Sequence, residues 1–188
     1  MAPPTGEYVS RGGHKLAAAL RAFDLSPDGR ICADLGANVG GFTDCLLQLG
    51  ARRVYAVERG YGVLDARLRG DPRVVVLERT DARKLALPEP IDLVVIDAGW
   101  TRQRVILPAA RSLLAPGGAI VSLVKPHYEA GRGLLRRGVL PAEQVAQVLE
   151  QVAADLPRLG LKRGAAVESP LRGHAGNVEW LWLLRPAG

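Results

Sequence analysis

Short apolar runs bounded by turn residues alternate along this chain with stretches in which apolar positions recur at helical spacing. Ile31–Leu35, Arg53–Val57, Arg73–Leu77 and Ala119–Val124 read as strands. Ile91-Asp-Leu-Val-Val-Ile-Asp97 is apolar almost throughout, as a strand covered on both sheet faces must be. Between them lie helical patterns. His14–Phe23 carries Leu16, Ala19, Leu20 and Phe23 on one face, with Lys15 off it; Phe42–Leu49, a short piece ending near Arg69, about Arg102–Leu114 and Pro141 to about Asp155 follow. This alternation predicts a parallel sheet flanked by helices. The last two strands, Leu161–Val167 and Val178–Leu184, are joined by the loop Ser169–Asn177, too short for a crossover helix, so they must run antiparallel to each other. The predicted fold is α/β: a mostly parallel seven-stranded sheet with an antiparallel carboxy-terminal strand. Residues 1–7, with Pro3 and Pro4, read as a disordered or trimmed end, and residues 8–188 as a single domain.

The turn after the first strand carries the first chemical signal. Ala33-Asp-Leu-Gly-Ala-Asn-Val-Gly-Gly-Phe42 leads a strand through a glycine loop into a helix. Gly36, Gly40 and Gly41 remove side chains where a ligand must approach backbone, and the helix presents unpaired N–H groups to it. The spacing G-x-x-x-G-G misses the dinucleotide fingerprint, which argues against NAD. Glu58 closes the second strand, where an acid can accept both hydroxyls of a ribose, so loop and acid together point to an adenosine-containing cofactor. The loop has no lysine to grip phosphates, so S-adenosylmethionine fits better than ATP. Thr80-Asp81-Ala82 follows the third strand where an adenine would lie, and Asp81 could accept from its amino group.

With 48% apolar residues in 188, the chain can bury a sizeable core. No apolar run approaches the roughly 18 residues of a membrane span, and MAPPTGEY is no signal peptide, so a cytoplasmic location is expected. Cys32 and Cys45 sit in apolar settings without metal-ligand spacing, so they are expected to be buried thiols and no metal site is expected. The net charge of +6 and pI near 9.8 suit a polyanion such as RNA, although the arginines behind them are scattered.

Asp97, Lys125 and Glu179 fall at or near strand ends on the edge where open α/β sheets bind ligands. Glu179 falls inside the expected last strand, but an antiparallel strand starts where its parallel neighbours finish, so an early residue can face the cleft. Lys15 on the first helix could reach the same edge. Only 4 of the 25 basic residues are lysines, and a lysine, unlike an arginine, can act as a base when its pKa is lowered. Lysine at two candidate cleft positions is therefore suggestive.

YVSRGGHK, DLGANVGGFTDCLLQLGA, RVYAVERGYG, DPRVVVLERT, DLVVIDAG, LVKPHYEAG and SPLRGHAGNVEW, in that order, resemble the FtsJ-type ribose 2′-O-methyltransferases, and within them the TlyA branch that is often labelled haemolysin. The resemblance implies a Rossmann-like methyltransferase fold, S-adenosylmethionine as cofactor, and RNA, in that branch ribosomal, as substrate. It implies a catalytic set of Lys15, Asp97, Lys125 and Glu179, and cofactor positions at Gly36, Gly40, Phe42, Glu58, Asp81 and Asp97. Asn38 and Gly41 of the same loop are added as cofactor candidates. In that scheme Lys125 orients or deprotonates the hydroxyl, Lys15 lowers its pKa, and the two acids hold the ammonium groups. The chain departs from the pattern in starting where the branch's small amino-terminal RNA-binding domain would end. It also reads Ala-Gly-Trp-Thr after Asp97, where Trp100 could stack on a base, and it has glutamate at position 58 instead of aspartate. Competing readings are a small-molecule O-methyltransferase, a membrane-active haemolysin and a catalytically silent cofactor-binding protein.

Overall fold

The computed structural model describes residues 7–188, so the expectation for the first seven residues falls, apart from Glu7, outside the described residues. Strands β1 (Ile31–Leu35), β2 (Arg53–Val57), β3 (Val74–Leu77), β4 (Ile91–Ile96), β5 (Leu114–Val124), β6 (Leu161–Glu168) and β7 (Trp180–Pro186) form a sheet in the order β3-β2-β1-β4-β5-β7-β6. β1 pairs in parallel with both β2 and β4, whereas β7 is antiparallel to both β5 and β6. Chain order thus reverses between β1 and β4. A crevice opens at such a reversal because the loops leaving the two strands turn to opposite faces.

Helices α1 (Gly12–Ala22) and α2 (Gly41–Gln48) cover one face, and α4 (Gln103–Ser112) and α6 (Ala142–Asp155) the other; α3 (Ala66–Arg69) and α5 (Pro126–Glu129) are single turns at the strand ends. Strand alternation feeds both layers: Cys32 faces Leu16, Leu20 and Leu46, while Ala33 and Leu35 face Ile106 and Leu107. Full burial of Leu16 and Leu20 contributes roughly 1.5–3 kcal/mol each, which is what fixes α1, and Lys15 with it, over the sheet. Cys32 and Cys45 are buried free thiols.

Beyond shifts of a residue or two at element ends, two strand starts and one helix differ from expectation. β5 begins at Leu114 because Leu114 pairs with Ile91, and the turn Ala115-Pro-Gly-Gly118 is taken up as an irregularity of the pairing. β7 begins at Trp180, so Glu179 precedes the strand instead of lying inside it. α5 was not expected at all, although Pro126 at its first position is a recognisable start signal.

Asp34 is fully buried in β1 and accepts a hydrogen bond from Thr43 Oγ1 of α2 at 2.7 Å. Burial pushes its carboxyl up to about 7, against the opposing effect of the Thr43 hydroxyl. The folded value lies above the unfolded one near ~3.9, so the folded state binds the proton more tightly. Stability from this group is complete below about pH 4 and declines as pH rises towards about 7. Asp34→Asn is expected to flatten that decline. Melting temperatures of both proteins between about pH 5 and about pH 8 check it, and parallel curves would place the titrating group elsewhere.

Candidate active site

The crevice between β1 and β4 has two lobes that share Gly36, Asn38, Asp97 and Gly99. The first, about 360 Å³, runs from Gly36 past Glu58 to Thr80, Asp81 and Ala82, across the ends of β1, β2 and β3. The second, about 310 Å³, is lined by Ser10, Arg11, Lys15, Phe42 and Lys125 as well as the shared residues.

Gly36 forms the floor where the lobes meet. Its N–H bonds Val57 O of β2 at 2.9 Å, and Asp97 N bonds Leu35 O at 3.1 Å, so the turn is stitched to the strands on either side. Its φ is +91°, and a Cβ there would stand 2.7 Å from Asp97 O. Glu58 accepts from Asn38 N at 2.9 Å and Gly60 N at 2.7 Å. Two backbone donors therefore aim the carboxylate while leaving it further acceptor capacity towards the lobe. Asp81 takes a backbone hydrogen bond from Arg83 N at 3.0 Å and an ion pair from its guanidinium, which hold the carboxyl far below the usual carboxylate range. It is thus ionised, an acceptor only, at the far end of the first lobe.

The candidate cofactor residues do not all face the crevice. Gly41 and Phe42 line the second lobe. A Cβ on Gly40 would meet Leu68 Cδ1 at 2.3 Å and Leu64 Cδ1 at 2.8 Å, so that glycine packs the loop against α3 instead of facing the lobes.

The four chemically active candidates converge as two ion pairs. Lys125 Nζ lies 2.5 Å from Asp97 Oδ1, and Lys15 Nζ lies 2.5 Å from Glu179 Oε2. Lys15 arrives because the segment before α1 is tied to α2: Val9 N donates to Asp44 Oδ2 at 2.8 Å, and Ser10 lies against Gly41. Glu179 is 4% exposed and is pressed by the backbone of Gly173, where a Cβ would come within 2.1 Å of its Oε1. Asp97 and Lys125 are held in register by a buried clamp. Gln103 at the start of α4 accepts from Ser122 Oγ of β5 at 2.7 Å, and its N–H donates to Glu129 Oε1 of α5 at 2.7 Å. Glu129 thus caps α4 from the element that Lys125 opens, a link that no local sequence signal announces.

The electrostatics differ from the sequence expectation at one point. Burial acts to lower the Lys125 pKa, but the neighbouring Asp97 and then Glu179 outweigh it, leaving the amine above its ordinary value. Because Lys15 is paired with Glu179, its charge is compensated, and Lys125 is an ammonium at neutral pH in the ligand-free protein. Such a group donates to an oxygen and orients it.

Trp100 is 86% exposed, with a left-handed backbone (φ +54°). It stacks on Tyr128 with ring centroids 4.7 Å apart, and Lys125 Nζ lies 5.4 Å from the centre of the Tyr128 ring. Tyr128 escaped the sequence reading; its place directly after Lys125-Pro-His was the available signal. His127 is held down to about 4, by burial and then by the Lys125 charge, so its imidazole is neutral at physiological pH.

Among the described residues no cluster has metal-ligand composition, and no helix is long and apolar enough to cross a membrane.

Comparison with known proteins agrees with this geometry. The FtsJ-like methyltransferase family model matches residues 8–185. The 16S/23S rRNA (cytidine-2′-O)-methyltransferase TlyA of Mycobacterium tuberculosis is 45% identical over 182 residues, covering 94% of this chain and 68% of the relative. The solved structure of a hemolysin-named protein from Streptococcus thermophilus superposes with a TM-score of 0.93 at 38% identity, covering 97% of this chain and 68% of that one. Aeropyrum pernix fibrillarin, crystallised with bound S-adenosyl-L-methionine, shares the fold at 22% identity, with a TM-score of 0.65 over 90% of this chain and 74% of its own. This chain spans about two thirds of the length of the Mycobacterium relative. On the family match, which takes in the glycine turn and both lysine–carboxylate pairs, the chain belongs to the FtsJ-like methyltransferases.

Proposed function

We propose that this protein transfers the methyl group of S-adenosylmethionine to a ribose 2′-hydroxyl of RNA, that the RNA is ribosomal, and that it acts in the cytoplasm. The observation that carries the proposal is the meeting of the two lobes at Gly36 and Asp97, with Lys125, paired to Asp97, in the lobe beyond that junction. The first lobe fits the methyl donor in size and in chemistry. Its volume of about 360 Å³ lies in the range of small-molecule sites, Glu58 would accept from the ribose hydroxyls, and ionised Asp81 would accept from the adenine amino group. Gly36 leaves backbone bare where the two lobes join. Bound there, S-adenosylmethionine supplies an electrophilic methyl group on a positively charged sulfur.

A ribose hydroxyl is a weak nucleophile at neutral pH, so position and charge must supply much of the rate. Lys125 Nζ donates to the hydroxyl oxygen and aims its lone pair towards the junction, while Asp97 holds that ammonium in place. Lys15 and Glu179 form the second pair of the set, so two cations and two carboxylates balance within the site. As the C–O bond forms and the donor's S–CH3 bond breaks, the hydroxyl proton would pass to the Asp97 carboxylate beside Lys125, because Lys125 is already an ammonium. The name of the Mycobacterium relative supports RNA ribose as the acceptor.

The Trp100–Tyr128 stack at the rim offers a flat face to an unstacked base next to Lys125. Trp100→Ala is expected to raise KM for RNA roughly tenfold, the loss of about 1–3 kcal/mol of stacking, while leaving donor affinity unchanged. Steady-state transfer with each substrate varied in turn checks it. An unchanged KM would make the tryptophan a bystander.

The proposed activity is tested by incubating the protein with tritiated-methyl S-adenosylmethionine and isolated ribosomal subunits or transcribed rRNA. Label in the RNA is expected, and label only in small molecules, or in nothing, would refute RNA as the substrate.

A further inference from the structure

One basic segment of the chain has no part in the chemistry above. After α5 the chain forms a short arm, residues 131–140. Arg136 and Val139 exchange backbone hydrogen bonds of 2.8 and 3.0 Å, and the two residues between them, Arg137 and Gly138, have φ of +51° and +82°. A two-residue turn with both centres left-handed normally takes Asn-Gly or Gly-Gly. Left-handed backbone is disfavoured for an arginine, yet the fold holds one there and so sets a guanidinium at the tip.

Arg136 and Arg137 are exposed, and the arm contains no acidic residue. Among the described residues neither arginine is ion-paired. The arm is also fastened. Buried Asn177 accepts from Leu140 N at 3.0 Å and donates from Nδ2 to Gly138 O at 3.0 Å, while its own carbonyl accepts from Gly173 N at 2.9 Å. Gly173 is the residue that presses on Glu179. One end of the arm therefore follows the helix that Lys125 opens, the other is clasped to the segment that carries Glu179, and Leu135 and Leu140 pack with Val145 and Val148 of α6.

We infer that the 131–140 arm is a clamp for the RNA phosphate backbone, with Arg136 and Arg137 as its contacts and Asn177 as the positioning residue that fixes it. This rests on the RNA reading above and adds where the strand is gripped. Guanidinium groups match phosphate oxygens as planar forks, and two unpaired forks on a stiff turn lose little freedom on binding.

The test compares wild type, Arg136→Ala/Arg137→Ala and Arg136→Lys/Arg137→Lys in methyl transfer to ribosomal subunits and transcribed rRNA over a salt series. Replacing both arginines by alanine is expected to raise KM for RNA on the order of tenfold or more and to reduce the slope of log affinity against log salt by about 2, with kcat and donor affinity unchanged. The lysine pair should restore most of the affinity, because a point charge still meets phosphate. Asn177→Ala is expected to raise KM as well, and to lower kcat through Glu179. Unchanged KM and salt slope in the alanine variant, with wild type active, would overturn the clamp alone and leave the arm free for an acidic protein partner. If wild type methylates no RNA, the RNA reading fails and the clamp fails with it.

Discussion

Lys125→Ala is expected to abolish methyl transfer, lowering the rate by about a thousandfold or more, while S-adenosylmethionine binds within about threefold of its wild-type affinity. The split follows from placement. Lys125 lines only the lobe beyond the junction, whereas the residues suited to the donor's ribose and adenine, Glu58 and Asp81, lie in the other. Alanine removes the ammonium that lies 2.5 Å from Asp97 and leaves that carboxylate, partly open to solvent, to water. The fold should survive, because the clamp of Gln103, Ser122 and Glu129 does not involve the lysine side chain. Calorimetry with the donor and single-turnover transfer measure the two effects separately. Retained turnover would remove Lys125 from the chemistry, and lost donor binding would mean that the lobes have been assigned wrongly.

The second large effect is expected at the junction floor. Gly36→Ala should weaken donor binding at least tenfold and destabilise the protein by roughly 1–3 kcal/mol. The added methyl would sit 2.7 Å from Asp97 O and 3.0 Å from Ala98 Cα, both backbone, at a φ of +91° that disfavours any side chain. Neither neighbour can rotate away, because the turn and Asp97 are hydrogen-bonded to β2 and β1. Relief would require β1 and β4 to separate at the point where the lobes share their lining. Gly40→Ala makes an instructive contrast. Its clash is with Leu64 and Leu68 side chains, so its cost should fall on stability more than on the donor. Thermal melts and donor titrations of both variants distinguish the cases, and equal loss of donor affinity in the two would contradict the placement of Gly40 against α3.

The contrast between these two glycines also marks where sequence reading stops. Spacing located the turn, but not which glycine faces the ligand and which faces a leucine, since that depends on how α3 folds back. The strands themselves are legible because runs such as Ile91–Ile96 bury both faces, and an apolar run that long admits few alternatives. Ala115-Pro-Gly-Gly118 has the residues of a plain turn, and only pairing of Leu114 with Ile91 extends β5 across it. Position and resemblance point to Lys15 and Glu179, but their contact spans most of the chain and depends on α1 packing over the sheet. The charge state of Lys125 was likewise out of reach. Burial alone argues for a lowered pKa, and only the nearness of Asp97 and Glu179 reverses the sign. Tyr128 and Asn177 acquire meaning only through their partners, Trp100 in one case and the 131–140 arm in the other.

The most direct measurement is the chemical position of the transferred methyl. RNA labelled by the wild-type protein from tritiated-methyl S-adenosylmethionine is hydrolysed in alkali, which cleaves every linkage whose 2′-hydroxyl is free. The radioactivity is expected in alkali-resistant dinucleotides, and to be absent when Lys125→Ala replaces the wild type. Radioactivity recovered in mononucleotides would place the methyl on a base, and its persistence with the lysine variant would show that the Lys125–Asp97 pair is not where the hydroxyl reacts.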